Sequence, residues 1–304
     1  MIRFDNVFKQ YRTLVPPREV QAVQEFTLEV PAGEVLGIAG PNGAGKTTLL
    51  ALALGFLHPS AGQVSIDGVP PRAFVRRQGI AYLSELINVP AWWTVQGALR
   101  RYATLTGVPR NALAGRVDGV IERLGIGEHR RKRIKQLSKG NLQRLGLAQA
   151  LLSDSPVAIL DEPTHGLDPL WTQRFRDIVG EMRRPDRAII IASHNLDELE
   201  RVADRVAILD RGRLTRVTDA SADAEDAISH YRLVLAADDP SVLDAFPRAA
   251  RTVSAREVAY DVHGPLDELN DGLSRILAAG VRIRAFFPAR SRLEAAFREA
   301  VGEE

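Results

Sequence analysis

The sequence predicts an α/β protein with a parallel sheet at its centre. Three short apolar runs, at 35–39, 157–160 and 188–191, end at glycine, acidic or histidine residues. Continuous apolar runs of this length are typical of strands buried on both faces of a parallel sheet. Segments at 26–30 and 63–66 are expected to add an antiparallel β-subdomain. A mostly helical insert follows, and alternating residues near the C-terminus predict a small α+β module.

The first apolar run leads into a glycine-rich loop and then into a helical apolar segment at 49–54. Backbone N–H groups of such a loop converge on phosphate oxygens, and the helix N-terminus adds its positive end. Lys46 can reach the β- and γ-phosphates, and Thr47 can ligate Mg²⁺. The strand before and the helix after the loop distinguish it from a chance glycine turn. The loop's candidate nucleotide-binding residues are Gly40, Pro41, Asn42, Gly43, Ala44, Gly45, Lys46, Thr47 and Thr48.

Two carboxylates, Asp161 and Glu162, end the second apolar run. Carboxylates at the end of a buried strand are costly unless they meet a cation or a proton. Asp161 suits a Mg²⁺ ligand, and Glu162 suits a base that polarises the attacking water. With the phosphate loop, this pair predicts a P-loop NTPase core.

Ser138 is a good N-cap for the helix expected at 142–152. A helix N-terminus with a hydroxyl and a glycine is also an anion site. With the two preceding motifs, this segment resembles the signature loop of the ATP-binding subunit of an ABC transporter. That family's pattern is Leu-Ser-Gly-Gly-Gln; this chain keeps Ser138 and Gly140 but has Lys139 and Asn141. Lys139 is similar to the form in many exporter subunits, which favours the drug-exporter-like (ABC-2 type) subfamily.

The resemblance implies a composite site, in which the signature loop of one subunit closes on the γ-phosphate held by the other. Asp168 then belongs to the D-loop along the dimer seam, although its position also suits a helix N-cap. His194 matches the switch histidine that touches the γ-phosphate. The catalytic group implied is therefore Glu162, His194 and Lys46.

Two further matches depart from the family pattern. Tyr11 resembles the aromatic residue on which adenine stacks, with a partly buried strand tyrosine as the alternative. Glu85 stands where the family has the Q-loop glutamine, and its carboxylate can bind Mg²⁺ or orient water. Trp92 and Trp93 follow where the family docks its membrane partner; a core role for one of them is equally open.

Composition agrees with a nucleotide-driven protein whose partner is not nucleic acid. The net charge is only +2, from 40 basic and 38 acidic residues, which gives no nucleic-acid signature. There is no cysteine, so neither disulfides nor thiol chemistry is expected. No run reaches the ~18 apolar residues of a membrane helix, and no signal peptide is recognisable. Any pore is therefore expected in another chain.

The predicted domains are an ABC-type ATP-binding domain at 1–217 and an accessory module at 218–304. An acidic segment at 219–226 is expected to link them. The module's order of strands and helices suggests a ferredoxin-like unit without a catalytic constellation. Its last segment, 291–297, resembles the Leu-Glu-x-x-Phe tail helix of drug-exporter-type subunits.

The resulting hypothesis is an ATPase subunit that binds ATP and Mg²⁺ and powers a separate integral-membrane permease, with export favoured. It is expected to act as a homo- or heterodimer of ATPase subunits, to bind no nucleic acid, and to lie in the cytoplasm on the inner face of the membrane through the permease. An importer subunit and a soluble, non-transport ABC ATPase remain as alternatives. The cargo is left open, because its specificity is expected in the permease.

Overall fold

The computed structural model describes residues 1–14, 17–220, 229–253, 258–288 and 292–301. The described residues divide into two compact units: residues 1–220 together with 299–301 form the first, and the described residues between 229 and 298 form the second. Most of the expected linker at 219–226 lies outside the described residues. The first unit runs through a strand that ends at Asp219, just beyond the predicted boundary.

The first unit combines a central sheet, a smaller antiparallel sheet and seven helices. Its elements are β1 (Ile2–Leu14), β2 (Pro17–Val30), β3 (Val35–Ala39), α1 (Lys46–Ala53), β4 (Ala61–Ile66), α2 (Pro71–Gln78), β5 (Ala81–Leu83), α3 (Val95–Leu105), α4 (Leu113–Arg123), α5 (Lys139–Leu151), β6 (Val157–Asp161), α6 (Pro169–Met182), β7 (Ala188–Ala192), α7 (Leu196–Val202), β8 (Arg205–Asp210) and β9 (Arg213–Asp219).

The central sheet has the order β5-β6-β7-β3-β8-β9. Neighbours from β5 to β8 pair in parallel, and β9 pairs antiparallel with β8. Every residue of β3, β6 and β7 is buried, which explains their uninterrupted apolar sequences. Because β6, β7 and β3 are adjacent and parallel, the segments that follow them emerge at one edge of the sheet.

The antiparallel subdomain has the order β2-β1-β4. It shares one core with the central sheet and α1, in which Phe4 and Phe26 meet edge to face with ring centroids 5.2 Å apart. β2 lies beside the glycine-rich loop. A Cβ on Gly45 would come within 2.3 Å of the Ala22 carbonyl oxygen, and Gly45 has a φ of 105°. Only glycine therefore permits this approach.

The helical insert and the signature segment follow the predicted order. α3 begins at Val95, where the Thr94 side chain accepts a hydrogen bond from the Gly97 N–H. α5 begins at Lys139 rather than near residue 142, because Ser138 caps it by accepting from the Asn141 N–H at 3.3 Å. In the described residues, no helix has the length and apolar character needed to cross a bilayer.

The second unit is an α+β module. Its elements are β10 (Ser229–Leu235), α8 (Ser241–Ala245), β11 (Ala250–Val253), β12 (Val258–Gly264), α9 (Leu266–Ala278), β13 (Ile283–Pro288) and α10 (Arg292–Val301) up to Arg298. The strand order is β11-β12-β10-β13, and all neighbours are antiparallel, which is the ferredoxin-like βαββαβ arrangement. A Cβ on Gly272 would lie 2.3 Å from Cε1 of Phe246, so this glycine allows the α9 backbone to approach the ring.

The predicted fold class is thus confirmed: a parallel α/β core carries an antiparallel subdomain and a helical insert, with a small α+β module after it.

Candidate functional site

A cavity of about 1100 Å³ lies in the first unit where β3, β6 and β7 end. Its volume suits a nucleotide-sized ligand. Residues from the loop before α1, from the ends of β6 and β7, and from β2 line it together. The lining residues are Glu19, Val20, Gln21, Ala22, Gln24, Pro41, Asn42, Gly43, Ala44, Gly45, Lys46, Thr47, Thr48, Glu85, Asp161, Glu162, His165, His194 and Arg211.

The floor of the cavity is the glycine-rich loop. Lys46 is the first residue of α1 and is only 8% exposed. Its Nζ donates to the Gly40 carbonyl at 2.7 Å, which holds the ammonium against the loop. Lysine has two further N–H donors, so the same ammonium can bind phosphate oxygens. Thr47 and Thr48 line the cavity at the positive end of the helix.

Asp161 faces this cation from the end of β6 and is buried. Burial, together with the negative charges of Glu85 and Glu162, raises the pKa of the Asp161 carboxyl to about 6, although the Lys46 cation acts in the opposite direction. A carboxylate whose charge is this poorly compensated is suited to a divalent cation. This observation agrees with Asp161 as a Mg²⁺ ligand.

The residues present fit Mg²⁺ bound together with a nucleotide. Mg²⁺ is usually held by one or two carboxylates plus substrate phosphates rather than by a cage made of protein alone. The cavity offers Thr47, Asp161 and Glu85 as oxygen donors. Among the described residues, no group of three or more His, Cys, Asp or Glu side chains is arranged to hold a metal ion.

Glu162 is held in one orientation from several sides. Its φ of 46° is left-handed, which non-glycine residues rarely adopt. Its N–H donates to the Ala192 carbonyl at 2.8 Å, which ties β6 to β7. Its carboxylate accepts from the Ser193 hydroxyl at 3.3 Å and from the His194 N–H at 3.1 Å, and it lies 2.8 Å from His194 Nδ1. The geometry thus fixes a buried carboxylate on the cavity wall.

His194 was predicted from the sequence to touch the γ-phosphate. The structure places its ring on the cavity wall and in contact with Glu162, while most of its side chain is exposed. The sequence did not reveal this hydrogen bond, because the two residues follow different strands, β6 and β7.

Two side chains near Glu162 were not anticipated. Gln143 on α5 is 4% exposed, and its Nε2 donates to the carbonyls of Glu162 and Pro163 at 3.1 and 2.9 Å. It anchors the signature helix to the segment after β6. An amide amid apolar residues in α5 was the only sequence signal. His165 lines the cavity, and its ring centroid lies 6.5 Å from that of His194.

The signature residues lie apart from this cavity, since none of Ser138, Lys139, Gly140 or Asn141 lines it. The Asn141 side chain contacts its own chain: Nδ2 lies 2.8 Å from His129 Nε2, and Oδ1 accepts from Arg144. Asp168 caps α6 by accepting from the Trp171 N–H at 2.9 Å. The cap interpretation of Asp168 is thus observed, and its role at a dimer seam stays a prediction.

Tyr11 is not among the residues that line the cavity, and the stacking of adenine on its ring stays a prediction. Its strand partner Val20 lines the cavity instead. The reason is the sheet order: β2, and not β1, runs beside the glycine-rich loop. The Lys9 ammonium lies 5.5 Å from the Tyr11 ring centroid, and 38% of the tyrosine is exposed.

The sequence of this chain is similar to those of known ATP-binding proteins of ABC transporters. Residues 23–165 match the family model described as "ABC transporter". An uncharacterized ABC transporter ATP-binding protein of Nostoc sp. is 38% identical over 217 residues, which are 70% of this chain and 65% of the relative. The methionine import ATP-binding protein MetN 1 of Pseudomonas syringae pv. syringae is 36% identical over 220 residues, again 70% and 65%. The matched region thus spans less than two thirds of the length of these relatives.

The fold has solved counterparts. A dimeric ATP-binding cassette, MJ0796, bound to ADP and Pi superposes with a TM-score of 0.67 at 21% identity, covering 72% of this chain and 99% of that one. The structural match supports the fold alone. The segment that builds the phosphate loop, the signature helix and the buried carboxylate pair resembles the ATP-binding domains of ABC transporters in sequence.

Proposed function

We propose that this chain is an ATP-hydrolysing subunit that powers a separate membrane permease. Domains of this family bind ATP with Mg²⁺, and the cavity offers the groups that both require. The observation that carries the proposal is the position of Glu162. It is buried, oriented by Ser193 and His194, and next to Asp161 in the cavity that the phosphate loop forms.

Each residue then has a defined task. The loop N–H groups and Lys46 bind the phosphates and stabilise charge that develops on them. Glu162 accepts a proton from the attacking water, and His194 holds the carboxylate in place. Thr47, Asp161 and Glu85 would hold Mg²⁺, which neutralises phosphate charge when it is bound.

The signature residues act in a second chain under this proposal. Ser138 and Gly140 begin a helix whose N-terminus does not face the cavity of its own chain. A dimer of ATPase subunits would bring this N-terminus to the nucleotide of the partner, which makes two composite sites. The sequence and the fold are compatible with a homodimer and with a heterodimer.

Import is the better supported direction of transport. The expectation of export rested on Lys139 and on the tail segment at 291–297, neither of which the comparisons support. MetN relatives from Pseudomonas syringae and Caulobacter vibrioides, 36% and 37% identical, carry methionine import in their names. We therefore propose import rather than export as the direction of transport. A soluble ABC ATPase without a permease is the alternative that a transport assay would decide.

The chemistry is tested by changing Glu162 to Gln, which keeps the shape and one acceptor oxygen. We expect turnover to be abolished while ATP and Mg²⁺ stay bound, because binding depends on Lys46, the loop and Asp161. E122Q is the matched control, since Glu122 is an exposed residue of α4. Hydrolysis and nucleotide affinity are measured for both variants. Hydrolysis by E162Q near the wild-type rate would exclude Glu162 as the base.

The direction is tested with a membrane permease that copurifies with this chain. Right-side-out and inside-out vesicles containing the complex are supplied with ATP on the side of the ATPase subunit. ATP-dependent uptake of the transported solute into right-side-out vesicles supports import. The same uptake into inside-out vesicles supports export. ATP hydrolysis without transport in either orientation supports the soluble alternative.

A further inference from the structure

Three side chains from separate segments of the first unit meet beside the cavity. Lys139 begins α5, His165 follows β6, and Glu85 follows β5. Lys139 Nζ lies 2.8 Å from His165 Nε2, and His165 Nδ1 lies 4.0 Å from Glu85 Oε1. His165 and Glu85 line the cavity, whereas Lys139 does not. The histidine thus lies between a cation outside the cavity and a carboxylate on its wall.

The lysine determines which imidazole nitrogen carries the proton. An ammonium group only donates, so His165 Nε2 must accept. In the neutral ring the hydrogen then lies on Nδ1, which is the nitrogen that faces Glu85. The separation of 4.0 Å is longer than a hydrogen bond, so this N–H acts on the Glu85 carboxylate by electrostatic attraction.

The lysine stem is held by the glycine after the histidine. A Cβ on Gly166 would lie 3.0–3.1 Å from Cγ, Cδ and Cε of Lys139, and Gly166 has a φ of 80°. The absence of a side chain at this position lets the lysine cross the backbone and reach His165. This packing is independent of the hydrogen bond. It is a second observation showing that the Lys139 side chain is directed toward His165.

We propose that Lys139 and His165 are positioning residues for Glu85. Lys139 sets the tautomer of His165, and the Nδ1–H of His165 attracts the Glu85 carboxylate across 4.0 Å, which favours one direction of that carboxylate on the cavity wall. The fixed direction matters because Glu85 and Asp161 line the same cavity. Two carboxylates bind one cation well only when both are aimed at it. The part of this inference that concerns catalysis rests on the proposed ATPase function, whereas the tautomer does not.

The tautomer is tested by ¹⁵N–¹H NMR of histidine-labelled protein without nucleotide, at about pH 8.5, where imidazole is neutral. The variant H165Q assigns the signal among the six histidines of the chain. We expect the Nδ1–H form in the wild type and in K139R, and its replacement by the Nε2–H form in K139M. K135M, which removes another exposed lysine, should leave it unchanged. An Nε2–H form in the wild type, or no change in K139M, overturns the proposal.

The link to Glu85 is tested by a double-mutant cycle on ATP hydrolysis. We expect K139M and H165A each to lower kcat three- to tenfold, with KM for ATP within twofold. In an E85Q background the same changes should lower kcat by less than 1.5-fold. If Lys139 acted only on a partner chain's nucleotide, its effect would persist in E85Q, and this would overturn the role assigned to Glu85. If no variant or wild type hydrolyses ATP, the proposed function fails, and the NMR result still decides the tautomer.

Discussion

Replacing Asp161 with Asn should stabilise the nucleotide-free fold while weakening Mg²⁺-dependent binding. Asp161 is 3% exposed, and burial, together with repulsion from Glu85 and Glu162, raises its pKa from 3.8 to about 6. A pKa that is raised on folding means that the folded state binds the proton more tightly. Protonation of Asp161 therefore stabilises the folded state fully below about pH 3.8, and this stabilisation is lost as the pH rises through about 6. At pH 8 the wild type therefore carries a buried charge that the amide would remove.

The size of the expected stabilisation follows from the shift in the pKa of Asp161. About 2 pKa units correspond to roughly 3 kcal/mol. Water in the adjoining cavity screens the charge, so we expect D161N to gain about 1–3 kcal/mol in the free energy of unfolding at pH 8. Because the wild type becomes protonated below pH 6, this advantage should shrink by roughly 1.4 kcal/mol at pH 5.

Urea unfolding in EDTA, followed by tryptophan fluorescence, measures the difference. All three tryptophans, Trp92, Trp93 and Trp171, lie in the first unit, so the signal reports on the unit that contains Asp161. D177N is the control, since Asp177 is an exposed carboxylate on α6. Added Mg²⁺ and ATP should stabilise the wild type more than D161N. A D161N protein less stable than the wild type at pH 8 without Mg²⁺ would refute the reasoning.

Four further substitutions test the remaining assignments. S138R should leave the nucleotide affinity of the isolated chain within about tenfold but block dimer closure and hydrolysis, because the loop completes the partner's site; full activity in a strictly monomeric preparation would refute a shared site. H194A should lower kcat roughly 10²-fold with ATP still bound, since Glu162 loses its orienting partner; an unchanged kcat in a steady-state assay would contradict this. W92A should weaken permease pull-down and spare basal hydrolysis, because Trp92 is 71% exposed. W93A should mainly lower the melting temperature, because Trp93 is half-buried with the Arg101 guanidinium 4.4 Å from its ring centroid; equal pull-down by both variants would exclude docking through this pair.

The sequence alone determined the core fold and most of the candidate site. The phosphate loop, Asp161 with Glu162, and His194 each follow a short apolar run directly, so their positions depend on local sequence. Parallel strands end at one edge of a sheet, and this rule brings such strand-end residues together without any knowledge of long-range contacts. The same locality explains why Ser138 was correctly predicted as a helix cap, while its partner chain is still a proposal.

The tertiary structure decided what depends on contacts between distant segments. Val20, and not Tyr11, lines the cavity because β2 is the strand beside the loop, and sheet order is not visible in the alternation of either strand. Gln143 reaches the carbonyl of Glu162 because α5 packs across the end of β6. The meeting of Lys139 with His165 depends on the same packing and on the open backbone at Gly166. Pairwise contacts of this kind follow from how helices and strands pack together, and no local pattern in the sequence specifies them.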